Sequence, residues 1–406
     1  MPNACLNQYS DTIRLTTAQI LRFLKHNTLI ELAELRHQPL DWHDNHTWPE
    51  DTPLTQLGID SLELTAIVVR ISTALQLTQF ADIPNLSGRM SLNQWARAIV
   101  EVTNGDFTQF GFYSSGTTGR KKLIVHQASK LIIELEEIVR QVEGLRRVVS
   151  LVPNCHLYGF MFSLLLPERV GASLVEAQHL PVNYLTRSLK AGDVLISFPD
   201  KLETWLPHLD CTLEHVTIVS STAPLAYKIK QSLAQWRCEA IIDIYGCAEA
   251  GAIAVSKYPN ADYQLLPYWE VNLGKHRLIH TQLQGQGFTL PDRLTIDERR
   301  QLTLNGRTDQ QVQVAGINVS LSEVAEHLNQ HPKVETSAVR LMTREEGNRL
   351  KAFVVLKSNY RHEALSQELE NWCQTLTPVQ RPKSFVFGSN LPKNELGKLT
   401  DWMVEI

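Results

Sequence analysis

The stretch "FYSSGTTGRKK", residues 112–122, places two serines, two threonines and two glycines in a short run that ends in basic residues. Small and hydroxylated residues let a loop curl tightly, so that backbone N–H groups and hydroxyls converge on phosphate oxygens. Lys122 can balance part of the phosphate charge. Taken alone, "SGTTG" is equally compatible with an ordinary turn, so its meaning depends on the rest of the chain.

The composition is typical of a globular protein, with 406 residues, enough for two or three domains, of which 43% are hydrophobic and 20% charged. A formal net charge of -4 gives no electrostatic reason to expect nucleic acid or an anionic membrane as a partner. The six cysteines form no C-x-x-C pair, which favours reduced thiols in a cytoplasm. The N-terminus lacks the pattern of a secretory signal, and no apolar run approaches the roughly 20 residues of a membrane span. We therefore expect a cytoplasmic protein without nucleic-acid or membrane partners.

Hydrophobic periodicity divides the chain into three parts. Helix-like spacing predicts an all-α bundle over residues 1–103, with helical stretches at 17–36, 62–77 and 91–102. Short apolar strands then alternate with helical segments, which predicts an α/β domain with a largely parallel sheet over residues 104–308. Residues 309–406 have the pattern of a smaller α+β unit. The fold class is therefore multidomain.

The stretch "LGIDSLELT", residues 57–65, begins the second predicted helix. Asp60 can cap this helix and Glu63 can reach back, as in a capping box. The stretch and its helical surroundings also resemble the acyl carrier protein family. That resemblance implies that Ser61 carries 4'-phosphopantetheine, attached by a phosphopantetheinyl transferase, and that the partners include acyl-chain-processing enzymes or a separate carrier protein. A helix N-terminus would favour the negative phosphodiester by roughly 0.3–1 kcal/mol.

The glycine-rich loop resembles the phosphate loop of the adenylate-forming superfamily, which includes acyl-CoA synthetases, peptide-synthetase adenylation domains and luciferases. This resemblance implies an ATP site whose loop contacts come from Ser115, Gly116, Thr117, Thr118, Gly119 and Lys122. Lys121 stands where that family usually has proline, and Ser114 where it more often has threonine. Both departures leave the backbone donors and Lys122 in place.

Three further motifs follow in the order of that superfamily. "VPNCHLYGF" (152–160) implies an acyl-pocket wall at His156 and Gly159. "SSTAPL" (220–225) implies a turn, with Thr222 and Ala223, against which adenine packs. "IYGCAEAG" (244–251) implies that Tyr245 and Gly246 lie beside adenine and that Glu249 binds Mg²⁺, a hard cation that prefers oxygen ligands.

The C-terminal motifs complete the resemblance. They imply a ribose-binding carboxylate at Asp292, a cation for the α-phosphate or ribose at Arg307, and a pivot at Asp309 for a mobile C-terminal unit. "LPKNELGKLTD" (391–401) implies that Lys398 bridges the carboxylate and the α-phosphate during adenylation. Lys398, Glu249 and Arg307 are thus the expected catalytic residues, with ATP and Mg²⁺ as cofactors.

The expected reaction is ATP-dependent activation of a carboxylic acid, followed by transfer to the phosphopantetheine thiol of a carrier, in natural-product or lipid biosynthesis. Aromatic residues at 158, 160 and 162 favour an aryl or unsaturated acid, although a fatty acid fits almost as well. The superfamily often has basic residues just before a glycine that corresponds to Gly316, and Gln313 and Ala315 replace them here, which weakens the case for free CoA. A CoA ligase and a non-catalytic carrier or docking protein remain the alternatives.

The predicted adenylation core is short. The phosphate loop begins about a dozen residues after the predicted helical bundle ends, whereas superfamily members normally have a long segment before it. We therefore expect an N-terminally truncated core, and short ligases of the aryl-polyene type offer the most similar pattern.

Overall fold

The computed structural model describes residues 11–36, 38, 40, 47–113, 122–208, 212–259, 262–275, 277–283, 287–290, 292–307, 311–314, 317–343, 346–347, 349–357, 360, 365–395 and 397–402. These residues form two compact units. The first unit contains the described residues up to 113, those from 122 to 288, and 297–302. The second contains those from 289 to 296 and from 303 onward.

Capped helices begin the first unit: α1 (Thr17–Leu35), α2 (Ser61–Ala74) and α3 (Leu92–Thr103). Each starts with a capping box. In it, the N-cap side chain accepts a hydrogen bond from the backbone N–H of the third helical residue, and the side chain of that residue accepts one from the N-cap backbone N–H. The cap predicted for Asp60 and Glu63 is confirmed, because the N–H groups of Leu62 and Glu63 donate to Asp60 Oδ1 at 2.8 and 2.9 Å. The helices predicted from periodicity are therefore present.

These helices do not stand apart as a bundle. Strand β1 (Ile13–Arg14) pairs antiparallel with β2 (Asp106–Phe107). The Gln19 amide donates to the carbonyl of Leu164 at 2.8 Å, and the ring centroids of Phe23 and Phe160 are 5.8 Å apart. The helices thus belong to the same compact unit as the α/β core, and the predicted carrier bundle over 1–103 is not shown. Periodicity identifies the apolar face of a helix but not the partner that covers it.

A hairpin leads into the core. Its strands are β3 (Gln109–Tyr113) and β4 (Leu123–Gln127), which pair antiparallel from Gln109–Gln127 to Tyr113–Leu123. Helix α4 (Ala128–Gln141) follows β4 without a break. The residues at either end of the glycine-rich loop are therefore held side by side.

A mixed sheet is the centre of the first unit, built from β5 (Arg147–Ser150), β6 (Ser173–Glu176), β7 (Asp193–Ser197), β8 (Thr217–Ser220), β9 (Ala240–Cys247), β10 (Gly251–Lys257) and β11 (Tyr263–Leu265). Among the described residues these seven strands are part of a nine-stranded sheet, in which they lie in the order β11-β10-β9-β8-β7-β5-β6. The neighbours from β6 to β9 are parallel, and β10 and β11 are antiparallel. The predicted α/β core is confirmed, and the parallel part of its mixed sheet consists of the five strands from β6 to β9.

The helices between these strands are α5 (Leu157–Gly159), which continues through a π-helical segment (Phe160–Leu165) into α6 (Leu166–Val170), then α7 (Val182–Ser188), α8 (Pro199–Trp205) and α9 (Tyr227–Gln235). A smaller sheet of β12 (Trp269–Asn272), β13 (Arg277–His280) and β14 (Gly287–Thr289) follows the main sheet in sequence. Side chains such as Val149, Leu195, Ile218 and Ile241 form the core of the parallel strands. Near-continuous apolar strands of this type are typical of sheets that are buried on both faces.

The second unit contains the α+β elements predicted for 309–406, and it also contains residues that the sequence interpretation had placed in the core. Its elements are β15 (Asp292–Ile296), β16 (Gln301–Arg307), β17 (Gln311–Val314), β18 (Ile317–Ser320), α10 (Leu321–Asn329), β19 (Val334–Leu341), β20 (Leu350–Leu356), α11 (Leu365–Trp372) and β21 (Ser384–Gly388). β16 starts in the first unit, where Gln301 and Leu302 pair with β11. β20 is the middle strand, antiparallel to β19 and parallel to β21. Across the described residues, no helix has the length and apolar character needed to cross a membrane.

Candidate active site

The turn between β9 and β10 carries the Y-G-x-x-E motif. Tyr245 is buried near the end of β9, with its ring 6.0 Å from that of Tyr263, and Glu249 lies partly exposed in the turn. Gly251 has φ of +78°, and a Cβ there would lie 2.1 Å from Glu134 Oε2. A larger residue would be strained both by the backbone and by this contact. The motif therefore depends on glycine to bring the turn onto helix α4.

Two buried side chains hydrogen-bond the backbone of this turn. His126, on β4, bonds the carbonyl of Ala248 through Nε2 at 2.7 Å. Lys130, on α4, bonds the carbonyl of Glu249 at 2.8 Å and His126 Nδ1 at 3.0 Å. Since an ammonium only donates, Nδ1 accepts and Nε2–H donates, which defines a neutral imidazole. Burial, together with the Lys130 charge, lowers the pKa of His126 from 6.5 to about 3, in agreement with that state.

Glu134 lies one helical turn beyond Lys130 and is also buried. Burial raises the pKa of Glu134 from 4.5 to about 7, against the opposing effects of Lys130 and the Ala252 N–H. Burial likewise lowers the pKa of Lys130 from 10.5 to about 8, against the opposing charge of Glu134. Lys130 also lies 4.6 Å from the ring centroid of Phe288. Buried polar and charged groups are costly without hydrogen-bond partners. The network of His126, Lys130 and Glu134 therefore favours the one arrangement of the turn in which these partners are present.

A second buried network organises the neighbouring turn of residues 220–225. Asp243 on β9 accepts from the Leu225 N–H at 3.0 Å and from the Tyr263 hydroxyl at 2.6 Å. Lys230 Nζ lies 3.0 Å from the same carboxylate, and both Lys230 and Asp243 are buried. Ser221 Oγ donates to the carbonyl of Ile244 at 2.9 Å. The turn that contains Thr222 and Ala223 is thereby attached to the strand that carries Tyr245 and Gly246.

The "VPNCHLYGF" motif lies near the carboxyl ends of β7 and β8. The Tyr158 hydroxyl donates to the carbonyls of Ser197 and Val219 at 3.1 and 3.0 Å. His156 is partly exposed before α5, whereas a Cβ on Gly159 would lie 1.9 Å from the carbonyl oxygen of Pro153. Ligands of open α/β sheets bind beyond the carboxyl ends of the parallel strands. The motif, the 220–225 turn and the Y-G-x-x-E turn meet at that edge.

The proposed aromatic frame of the acyl pocket needs correction. Phe160 is fully buried, with its ring 4.7 Å from Phe110 and 5.2 Å from Phe112, so it belongs to the core. Tyr158 is occupied by its two carbonyl acceptors. The π-helical segment places the aromatic side chains differently from a regular helix, and sequence spacing does not reveal such a segment. Of the residues predicted to line the pocket, His156 and Tyr158 keep partial exposure.

Lys398 lies in a tight hairpin of the second unit. Lys393 and Leu399 form an antiparallel bridge, and the Asn394 N–H donates to the carbonyl of Lys398 at 2.8 Å. The Lys398 N–H donates to Asn394 Oδ1 at 2.9 Å. Gly397 has φ of +72°, a conformation that favours glycine. The hairpin therefore presents Lys398 on a defined backbone.

The remaining predicted residues are placed less fully. Lys122 is exposed before β4, and Asp292 begins β15 in the second unit. Arg307 ends β16, with its side chain outside the described residues. Also outside the described residues lie Ser115, Gly116, Thr117, Thr118, Gly119 and Asp309. Their roles stay predictions.

Ser61 is exposed at the first position of α2. Its neighbour Leu62 is 80% exposed, and Glu63 is held by Arg36 through two bonds of 2.6 and 2.8 Å. This ion pair raises the order of the helix start, since paired Arg–carboxylate contacts have a fixed geometry. Helix α2 thus offers an accessible hydroxyl, and no contact described here assigns it a prosthetic group.

The sequence interpretation did not single out Lys130, His126, Glu134 or Asp243. A signal was available for two of them, because Lys130 and Glu134 lie four residues apart on the face of α4 that also carries buried Leu131 and Ile138. Charged residues on an otherwise apolar helical face indicate either a buried pair or a site. Each of the two residues also has a backbone partner in the distant 248–252 segment, which spacing alone does not identify.

Comparison with known proteins agrees with these motifs. Residues 57–271 match the "AMP-binding enzyme" family and residues 323–398 its "AMP-binding enzyme C-terminal domain". A 4-coumarate–CoA ligase of Halorhodospira halophila is 30% identical over 393 residues, which cover 95% of this chain and 99% of that protein. A 4-coumarate–CoA ligase of Cereibacter sphaeroides is 30% identical over 375 residues, covering 88% and 87%. The short length of the chain is thus shared with a curated relative.

A solved structure shows the same fold. It is the ATP-bound RpMatB-BxBclM chimera B1, with a TM-score of 0.60 and 19% identity, covering 83% of this chain and 75% of that chain. The family match extends from residue 57, so it includes helices α2 and α3, which the sequence had placed in a carrier module. The chain therefore belongs to the AMP-binding enzyme family of adenylate-forming ligases.

Proposed function

We propose that this protein is an AMP-forming acid–thiol ligase, which activates a carboxylic acid with ATP as an acyl adenylate and then transfers the acyl group to a thiol. The observation that carries the proposal is the end of β9 and the turn after it: Tyr245 lies on the strand, Glu249 lies in the turn, and Lys130 and His126 bond the carbonyls of Glu249 and Ala248. Family membership supports the adenylate-forming step.

The first half-reaction needs alignment and charge neutralisation rather than a protein nucleophile. A carboxylate is a poor acyl donor because its leaving group would be oxide, and joining it to AMP supplies a better one. In this proposal the Lys398 ammonium neutralises charge between the carboxylate and the α-phosphate, and Arg307 contributes a second cation. Pre-positioned charges of this kind lower the barrier without reorganisation during the reaction.

The residues present fit a magnesium ion that is bound mainly by nucleotide. Among the residues that the structure describes, no group of three or more His, Cys, Asp or Glu could hold a metal. Mg²⁺ is commonly bound by one or two carboxylates together with phosphate oxygens and water. Glu249 would supply such a carboxylate, and the ion would supply charge neutralisation at the phosphates. Lys130 bonds the backbone carbonyl of Glu249 and His126 that of Ala248, so neither of these two hydrogen bonds uses the Glu249 carboxylate.

The acid is proposed to be aryl or aryl-unsaturated. The two relatives described above are named for 4-coumarate, an aromatic acid with a conjugated double bond. His156 and Gly159 are the proposed wall residues, near the edge of the sheet at which the Y-G-x-x-E turn lies. A fatty acid remains the competing substrate class.

The acceptor thiol is proposed to be CoA, because both relatives are named as CoA ligases. A specific observation keeps a carrier in consideration, since Ser61 is exposed at a helix N-terminus, where a phosphodiester is favoured. In that second proposal a phosphopantetheinyl transferase modifies Ser61, and the pantetheine arm or a separate carrier accepts the acyl group. The basic residues that Gln313 and Ala315 replace would have helped to bind the phosphates of free CoA.

One experiment separates these functions. The purified chain is incubated with ATP, Mg²⁺ and 4-coumarate, cinnamate, benzoate or a fatty acid, and pyrophosphate exchange identifies the acid that is activated. CoA is then added to wild type and to Ser61→Ala, and the thioester is identified by mass spectrometry. An acyl-CoA product at equal rates in both proteins supports the CoA ligase. Acyl-pantetheine on the Ser61 peptide, with no acyl-CoA, supports the carrier instead, and no exchange with any acid contradicts both.

A further inference from the structure

A lysine in the centre of the second unit has no contact with water. Lys351 lies on β20, and its side chain is 0% exposed. Its ammonium bonds the Glu346 carboxylate at 2.9 and 3.0 Å, the carbonyl of Trp402 at 2.6 Å, and lies 3.1 Å from Asp401 Oδ1. The Trp402 ring centroid is 5.6 Å from the same nitrogen. Every one of these partners comes from outside the sheet.

The position directly opposite on β19 is occupied by another cation. Arg340 and Lys351 are register partners, so their side chains leave the same face of the sheet. Two like charges at opposite positions destabilise a sheet unless anionic or carbonyl groups compensate them. Arg340 Nη2 donates to the carbonyl of Leu399 at 2.6 Å. Burial lowers the pKa of Arg340, and the nearby Asp401 carboxylate opposes that effect.

Both cations therefore bind the same short segment. Leu399, Asp401 and Trp402 follow Lys398 immediately, and Leu399 forms the bridge that closes the Lys398 hairpin. A buried ion pair adds little net stability compared with a well-packed apolar pair, yet loss of one partner is costly. Such a pair is thus better suited to fix one arrangement of this segment than to add stability.

We propose that Arg340 and Lys351 form a cation clamp, which holds residues 399–402 on the sheet and thereby positions Lys398 for adenylation. In this scheme the clamp residues act through Lys398 and not on ATP or the acid, so they are positioning residues. The inference rests on the proposed function, because it assigns Lys398 to the first half-reaction. It predicts that loss of the clamp impairs adenylation and spares thiol acylation.

The test measures the two half-reactions separately. Lys351→Met is expected to lower acid-dependent pyrophosphate exchange about 100-fold, since a displacement of about 1 Å can cost that much. Thioester formation from chemically prepared acyl adenylate should stay within about twofold of wild type, because that step does not use Lys398 in this scheme. Lys333→Met is the matched control: Lys333 lies in the same unit and pairs with Glu368 at 2.7 Å. It should leave both half-reactions unchanged.

Two further arms keep the test decisive. In a Lys398→Ala background, Lys351→Met should cause no additional loss of exchange, because both changes act on one step. Asp401→Asn removes one clamp partner and leaves the lysine bonded to Glu346 and Trp402, so it serves if Lys351→Met does not fold. Equal loss in both half-reactions by a folded variant, or no loss in either, would overturn the clamp.

Hydrogen exchange distinguishes failure of the clamp from failure of the proposed function. The clamp predicts faster amide exchange in residues 393–399 of Lys351→Met than in wild type or Lys333→Met, independently of any activity. Amide hydrogen exchange in residues 393–399 that is as slow in Lys351→Met as in wild type contradicts the clamp. Wild type without pyrophosphate exchange for any acid contradicts the proposed function, and the amide measurement then still decides whether the clamp exists.

Discussion

Replacement of Lys130 by methionine tests how the Y-G-x-x-E turn is held. Methionine keeps most of the length, but it removes the donor to the Glu249 carbonyl and to His126 and the cation above the Phe288 ring. Each buried acceptor left without a donor costs about 1–3 kcal/mol, and Glu134 also loses its cation, so we expect a loss of about 3–5 kcal/mol in the free energy of unfolding. Protonation of Glu134 limits the loss, and the deficit should therefore be smaller at pH 6 than at pH 8.

The same variant should disturb nucleotide use more than acid binding. When the backbone carbonyl of Glu249 is no longer hydrogen-bonded, the backbone that positions the Glu249 carboxylate becomes less well fixed. We therefore expect kcat/KM for MgATP to fall about 10- to 100-fold. Chemical denaturation and pyrophosphate exchange, the latter over a range of Mg²⁺ concentrations, measure the two effects. Lys201→Met is the matched control, because Lys201 lies 5.9 Å from the Trp205 ring centroid, and its loss should cost less than about 1 kcal/mol.

A double variant refines this prediction. If Lys130 acts through Glu249, then Lys130→Met should add little to the catalytic loss already caused by Glu249→Gln. The reasoning is refuted by a Lys130→Met protein that unfolds within about 0.5 kcal/mol of wild type, the range expected of surface changes, and that keeps the KM for MgATP.

Three further outcomes follow from single contacts. Gly251→Ala places a Cβ 2.1 Å from Glu134 Oε2 at φ of +78°, so the free energy of unfolding should fall by about 2–4 kcal/mol, as denaturant titration will measure. Wild type should lose stability relative to Glu134→Gln as the pH rises from 5 to 8. The reason is that Glu134 keeps its proton until about pH 7 in the folded protein but releases it near 4.5 in the unfolded chain. Free energies of unfolding that change in parallel with pH in the two proteins would contradict this. Asp60→Ala removes the acceptor for the Leu62 and Glu63 N–H groups and should cost about 1 kcal/mol by thermal unfolding, with unchanged pyrophosphate exchange.

Much of the fold was predictable because its signals are local. The caps at Asp60 and the periodic stretches that became α1, α2 and α3 depend on neighbours within a few residues. Short apolar stretches at 147–152, 193–198 and 215–221, of the kind that predicted the α/β domain, contain β5, β7 and β8. The prediction of a separate carrier bundle failed because the face of α1 that carries Phe23 packs on Phe160, more than a hundred residues away, and local spacing does not reveal such a partner.

The candidate site shows the same division. The Y-G-x-x-E residues and the Lys398 hairpin were identified from motifs whose order matched a known family. The groups that hold them were not, because Lys130, Asp243 and Lys351 acquire their meaning from partners distant in sequence. The sequence does not distinguish a charged side chain that is buried from one that is exposed to solvent, and the structure shows which it is.

The most direct test of the central proposal is acid-dependent pyrophosphate exchange by wild type and Lys398→Ala. With ATP, Mg²⁺ and 4-coumarate, we predict exchange by wild type that falls at least about 100-fold in the variant, as expected when a transition-state charge contact is lost. Exchange that depends on no acid, or that is equal in the two proteins, would contradict the proposal that this chain forms acyl adenylates through Lys398.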